Sequence, residues 1–475
     1  MADDGNDSWL LLNQAENLIE QGDQRGARAL LEQAMMAASA ADDKSMTALA
    51  YIRAGTMNVR LGEIERGLLY YGRGMDVLRG KRFVALPLPE VAPLLPRIQQ
   101  DLASTETAAP PGVRGVSRLV GGMVARRTGN LEVAEAELRT ALPLLAQDGD
   151  RSNQAVAMLE LAVVLDESRR YAESEPLYRG AVDAARAAGV ARVLCDALHD
   201  LGVSLREQGR LAEAEQAFAQ GAEEAHAAGD KWNEARIRTM LGVTLLDLGQ
   251  KDAAYRELTE ARPLAEEAGP RHSLAICWRV EGQRWMEQSS YSQARESLEY
   301  AANLLAGEPD FNAQRERAGC LRDLGDVALA SGSMAEAKDL YNQSLDLYSR
   351  SGHAAGQAQV QLALGNISRG EGDPQSAYSY YWKAARHARE QGSSMLMGRC
   401  HQEAADLYAM DGRISVAQWN LACARALFAQ SDPHLVGDVD TALANIRNYN
   451  PAAYDRLARD FDAKGLGDIW SLTPP

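Results

Sequence analysis

Leucine followed by a small residue recurs in this chain at a fixed spacing. Leu201-Gly202 and Leu241-Gly242 lie 40 residues apart, as do Leu324-Gly325 and Leu364-Gly365. A period of this length constrains the fold more than any other property of the sequence. Each copy is one supersecondary unit, too small to bury its apolar face alone, so the copies must stack. With the small residue taken as an anchor, glycine follows seven positions on at Gly209, Gly249, Gly332 and Gly372. Alanine follows at twelve, as in Ala214 and Ala254, and a large apolar residue at sixteen: Tyr178, Phe218, Leu258, Leu298, Tyr341, Tyr381 and Leu421. A second glycine falls at twenty-seven, at Gly149, Gly189, Gly229, Gly269, Gly352 and Gly392. Glycine ends helices because it adopts left-handed backbone without strain. One repeat therefore reads as helix, glycine turn, helix, glycine turn.

The same ruler places anchors at Ala15, Gly55, Gly122, Ala162, Gly202, Gly242, Gly282, Gly325, Gly365 and Ala405, which makes ten repeats. Small residues at the anchor and twelve positions on let the two helices approach closely, and the large residue sixteen on fills the remaining space. Aromatics are only 6% of the chain and runs alternating with period two are scarce, so strands are not expected. A single core of 475 residues would exceed what one globular domain builds, a limit that a stack escapes.

This pattern of small residue, glycine, alanine and aromatic resembles the tetratricopeptide repeat family over residues 9–430. The period of 40 departs from the family's usual spacing of about 34. The longer variety is similar to that of kinesin light chains and bacterial tetratricopeptide scaffold proteins. The resemblance implies an all-α, right-handed superhelical solenoid of about ten hairpins with capping helices. It also implies a concave groove, lined by the first helix of each hairpin, that takes an extended peptide or a helix of a partner.

Two gaps break the register. Anchors 55 and 122 are separated by an insertion holding Pro87, Pro89, Pro93 and Pro96 and the stretch STETAAPPG at 104–112. Anchors 282 and 325 are separated by three extra residues near Gly307. The expected organisation is N-terminal repeats over 1–80, a Pro-rich linker over 81–114, repeats over 115–430, and capping helices with a tail over 431–475. Residues 433–447 and 451–464 read as the capping helices, and Ile469, Trp470 and Leu472 as packing onto them or occupying a groove.

Projection of each first helix places inward the positions six and three before the anchor and one, four and five after it. Toward the N-terminus these are apolar and include Trp9, Ile52, Leu119, Met123 and Leu159. From the fifth repeat they turn polar, with His199, Arg206, Arg236, Arg279, Arg322, Asp326, Asn366, Arg369, Arg399 and Gln402. The arginines could clamp carboxylates of a bound segment in a bidentate manner, or pair with neighbouring acids such as Asp247 and Asp326.

No phosphate-loop, zincin, nucleophile-elbow or dinucleotide motif occurs. Cys195 and His199 lie four apart on one helix, the spacing a thiol–imidazole pair would need, yet buried thiol is the commoner state. The histidines are scattered, and five cysteines without a C-x-x-C pair read as reduced thiols. No catalytic residues, metal or cofactor are expected. The net charge of −16 disfavours nucleic acid and anionic membranes as general partners. With no apolar run long enough to span a bilayer and an acidic start, a cytoplasmic location is expected. The function expected is a non-enzymatic scaffold or adaptor that binds a peptide or helix of other proteins. The alternatives are a regulatory subunit or peptide sensor that changes curvature on binding, and a filament-associated structural component.

Overall fold

The computed structural model describes residues 111–127, 129–308 and 311–465, together with Ile469, residues 23–40 and scattered positions between 10 and 73. Two compact units divide the chain, Met1–Leu274 and Ala275–Pro475. Hairpins that touch mainly their neighbours share no single core that would hold them as one unit.

The first unit contains α1 (Gln24–Ala40), α2 (Pro111–Arg127), α3 (Leu131–Asp148), α4 (Arg151–Glu167) and α5 (Tyr171–Ala188). It continues with α6 (Ala191–Glu207), α7 (Leu211–Ala227), α8 (Lys231–Asp247) and α9 (Lys251–Ala268). Helix α10 (Arg271–Glu287) begins in the first unit and runs into the second, which goes on with α11 (Tyr291–Leu304), α12 (Phe311–Ala330), α13 (Met334–Arg350) and α14 (Ala354–Gly370). Then come α15 (Pro374–Glu390), α16 (Ser394–Met410), α17 (Ile414–Ser431), a 3-10 turn at Pro433–Leu435, α18 (Val436–Tyr449) and α19 (Pro451–Lys464). All elements among the described residues are helical, and from α2 to α17 they alternate as first and second helices of a hairpin. The Pro-rich segment over 81–110 and Trp9 lie outside the described residues. Helix α2 starts at Pro111, inside the linker expected to reach 114. Proline fits there because the first helical position needs no N–H donor.

The anchor glycines are glycines because of their partners sixteen residues on. A Cβ on Gly202 would stand 2.7 Å from the Phe218 ring, on Gly242 2.6 Å from Leu258, and on Gly325 2.6 Å from Tyr341. Tyr178, Phe218, Tyr341 and Tyr381 are fully buried. The hairpin is thus closed by one small and one large residue meeting.

The turn positions follow the same rule. Gly209 and Gly249 both sit at φ 76°, yet the equivalent positions in two repeats hold Arg169 and Ser289, each forced to φ 57°. Left-handed backbone costs a residue with a Cβ roughly 1–2 kcal/mol, of which glycine's extra chain entropy returns part. Arg169→Gly and Ser289→Gly are each expected to stabilise the chain by about 0.5–1 kcal/mol. Thermal unfolding of the single variants checks this, and an unchanged or lowered midpoint contradicts it.

After the second turn, Asp150 and Asp230 cap the next first helix. Their carboxylates accept the backbone N–H of Asn153 and Asn233, each at 3.0 Å. At the far end, α18 buries Val439 and Leu443 in a cluster with Leu427 and Phe428 of α17. Ile469 packs on this cluster too, and its carbonyl accepts from His401 Nε2 at 2.8 Å. The end of the array is therefore covered by the chain's own helices, as the sequence reading expected, while Trp470 and Leu472 lie outside the described residues.

Candidate partner-binding face

Charged side chains on the first helices link one repeat to the next. In the first unit, Arg126 on α2 donates to Glu160 at 3.0 Å and Glu167 at 3.1 Å, both on α4. Burial opposes the charge on Arg126, and the fields of Glu160 and Glu167 outweigh it, holding the guanidinium above its ordinary pKa. Arg236 on α8 reaches back to Asp196 on α6 at 2.6 Å and also lies over the Trp232 ring, 4.8 Å from its centroid. Arg206 grips Asp247 through two nitrogens at 2.9 and 2.7 Å.

Arg126 and Arg236, with Glu160 and Asp196, converge on a small cleft of about 30 Å³ lined also by Leu159, Val163 and Asp200, while Arg206 and Asp247 stand outside it. Its walls come from four successive first helices, α2, α4, α6 and α8, so no single hairpin could make it. It is a small cleft in a polar face. Two guanidinium groups and three carboxylates alternate around two aliphatic side chains.

In the second unit the hub is Asp323, which lies beside Arg279 at 3.3 Å and accepts from Arg322 at 2.6 Å and Gln283 at 2.8 Å. Arg279 also donates to Glu316 at 2.5 Å, and Arg322 to Gln359. Arg369 pairs with Glu403 at 3.0 Å and Asp406 at 3.2 Å. The hairpin-closing tyrosines reach this side as well: the Tyr341 hydroxyl donates to Asp326 at 2.5 Å and that of Tyr381 to Asn366 at 2.6 Å. Burial raises the Asp326 carboxyl above its usual range. Gln402 is half-buried and Arg399 exposed.

The expected apolar half of the groove is corrected by the structure. Ile52, Leu119, Met123 and Leu159 are buried, with at most 4% of their surface exposed. Leu119 and Met123 pack in one cluster with Ala157, Leu161 and Leu165 of α4. The neighbouring first helix closes over the positions three before and one after the anchor, and their apolar groups become core. His199 is likewise buried, its ring set edge-on to Phe218 at 5.9 Å with Nδ1 2.9 Å from Asp200. Most of the arginine series is occupied by acids of adjacent repeats. Charge reversal at Arg279 or Arg322 would therefore break internal pairs before it tested any partner.

Four acids that carry this arrangement escaped the helix projection: Glu160, Asp200, Asp323 and Glu403. Each lies two positions before an anchor. That recurrence is the signal that could have found them.

His353 caps α14 as a neutral ring, its Nδ1 accepting the Gly356 N–H at 3.0 Å. Burial, then the charges of Arg315 and Arg322, push its pKa down to about 4. Because the folded value lies below the unfolded value, the contribution is complete above about pH 6.5 and is lost as pH falls toward 4. Partial exposure keeps the effect near 1 kcal/mol. Denaturation of wild type and His353→Asn across that window should show a slope that the asparagine cap removes. Equal slopes would contradict the assignment.

Cys195 does not form a reactive pair with His199. Burial, followed by the fields of Asp196 and Asp230, pushes the thiol up to about 12, and all five cysteines are buried and outside any disulfide. Among the described residues no group of three or more His, Cys, Asp and Glu is placed to hold a metal ion, and no helix is long and apolar enough to cross a membrane.

Stacked two-helix units with anchor glycines, glycine turns and inter-repeat ion pairs define an all-α helical-repeat protein. A family model described as tetratricopeptide repeat matches residues 194–223, and one described as soluble NSF attachment protein, SNAP, matches residues 310–422. Over these residues the chain is similar to tetratricopeptide repeat proteins. No curated protein sequence matches it. Among solved structures it is similar to the apo form of the quorum sensor NprR from B. thuringiensis, with TM-score 0.53 and 12% identity, covering 72% of this chain and 99% of that one. It is also similar to the apo form of RapI, with TM-score 0.51 and 12% identity, covering 81% of this chain and 98% of that one. At this identity the likeness is one of fold.

Proposed function

We propose that this chain is a non-enzymatic protein-interaction adaptor that holds a peptide or helix of a partner against the first-helix face of its repeats. The observation that carries this reading is the polar cleft built jointly by α2, α4, α6 and α8, where paired guanidinium and carboxylate groups surround Leu159 and Val163. Alternating charge on a stacked helix face suits recognition of a partner's backbone and charged side chains. Location in the cytoplasm and the absence of any catalytic role, metal or cofactor belong to the same proposal.

The test uses exposed pairs, whose loss has little effect on folding. Arg206 and Asp247 keep about a third or more of their side chains in solvent, at 32% and 42%. A protein captured by the intact chain is purified and titrated against wild type, Arg206→Glu and Arg179→Glu, the last on second helix α5. The reading predicts about a tenfold loss for Arg206→Glu and none for Arg179→Glu. Retention of no protein, or equal loss in both variants, would overturn it.

The second reading is a peptide sensor whose curvature changes on binding. The fold likeness to a quorum sensor favours it. Scattering profiles of the chain that stay superimposable with and without a bound peptide would exclude it.

A further inference from the structure

The tail meets the array at a buried histidine. His401 on α16 is 0% exposed, its ring tilted 73° against that of Trp419 with centroids 5.5 Å apart. Its Nε2 lies 2.8 Å from the main-chain oxygen of Ile469, and its Nδ1 lies 2.8 Å from Oδ1 of Asn420 on α17. Both ring nitrogens therefore face oxygen. A neutral imidazole carries one N–H and can donate to only one of the two.

Asn420 does not remove the conflict by turning its amide over. Its Nδ2 donates to the Val416 carbonyl at 2.9 Å within α17, and the side chain is itself fully buried. A flipped amide would set Oδ1 against that carbonyl, acceptor to acceptor. All three contacts are satisfied together only when the ring carries a proton on each nitrogen. The contact with Asn420 joins the two helices of one hairpin, whereas the contact with Ile469 spans 68 positions of sequence. When a proton is missing, the tail is the element that yields at least cost.

We propose that His401 is a proton-operated latch on the C-terminal tail: the doubly protonated ring holds Ile469 in place, and loss of one proton releases it. The latch is closed below about pH 6.5, where a free imidazole is already charged, and opens as pH rises past it. Release uncovers the apolar cluster under Ile469, which includes Leu421 and Phe428. Among neighbouring titratable groups, the α17 stretch Ala417–Ala424 adds only the buried Cys423 thiol. On α16, Glu403 is paired with Arg369 and Arg399 is exposed. Helix α15 brings Arg386, His387 and Arg389, and α19 brings Tyr454, while Asp468 beside Ile469 lies outside the described residues. Burial and the α15 cations oppose the second proton and the two oxygens favour it, so the ring is not held charged at every pH. The inference goes beyond the adaptor reading and depends on none of the residues that carry it.

The test follows the Ile469 methyl signal in isoleucine-labelled NMR spectra of the full chain, identified by its loss in Ile469→Val. In wild type the ratio of docked to released tail should be about tenfold higher at about pH 6 than at about pH 8. Asn420→Leu removes the second oxygen, so a single ring proton suffices and the ratio should be the same at both. His401→Gln keeps a donor for Ile469 but cannot titrate, and it too should lose the pH response. It also decides the matter if Asn420→Leu does not fold. Equal ratios at the two pH values in wild type, or a wild-type response retained in either variant, overturn the proposal. A retained response would hand the proton to a neighbour such as His387 or Asp468.

Discussion

Truncating Phe218 to alanine should cost about 3–5 kcal/mol, because a fully buried ring is removed from a site its neighbours cannot refill. The ring occupies the space created by Gly202, whose missing Cβ lies 2.7 Å away, and it also supports the His199 imidazole. A stack transmits such a loss mainly to adjacent units. Hydrogen exchange should therefore accelerate most in α6 and α7, with smaller changes in α5 and α8 and little in residues 311–465. Uniform acceleration across the chain, or a loss below about 1 kcal/mol, would show that the anchor and its partner do not close the hairpin.

The second large effect is expected at Arg126. Its side chain is 7% exposed and that of Glu160 3%. Removing the guanidinium deprives a buried carboxylate of its counter-charge, which costs about 3–5 kcal/mol, whereas replacing both partners with apolar residues of similar volume is often neutral. Arg126→Ala should thus be severely destabilised and Arg126→Leu/Glu160→Leu should stay close to wild type. The deficit of Arg126→Ala should also shrink as pH falls and Glu160 takes up a proton. Denaturation at two pH values checks both points. A double variant as unstable as the single would mean that the charges, and not the shape they fill, hold α2 against α4.

Much of the fold was legible because its determinants are local and paired. Gly202 with Phe218, and Gly325 with Tyr341, announce a close helix contact in the sequence, and the turn glycines mark each stop even though Arg169 and Ser289 fill two of those positions. The cap helices were readable from Pro433 and Pro451 and the loss of the anchor pattern. The site was legible only in part. Projecting one helix at a time identified Arg206, Arg236 and Arg369, but it could not show that the next first helix buries Leu119, Met123 and Leu159. Nor could it show which acid each arginine meets, since those pairs join residues 34 to 41 positions apart on separate helices. Such contacts are set by how the hairpins stack, and one helix's periodicity carries no record of that.

The central claim is that partners are held by the first-helix face. Placing a photoreactive side chain at position 206, on that face of α6, and in a second variant at position 179, on second helix α5, tests it most directly with the intact chain and a purified partner. The account predicts a covalent adduct from position 206 and none from position 179. Adducts from 179 alone, or equally from both, would contradict it.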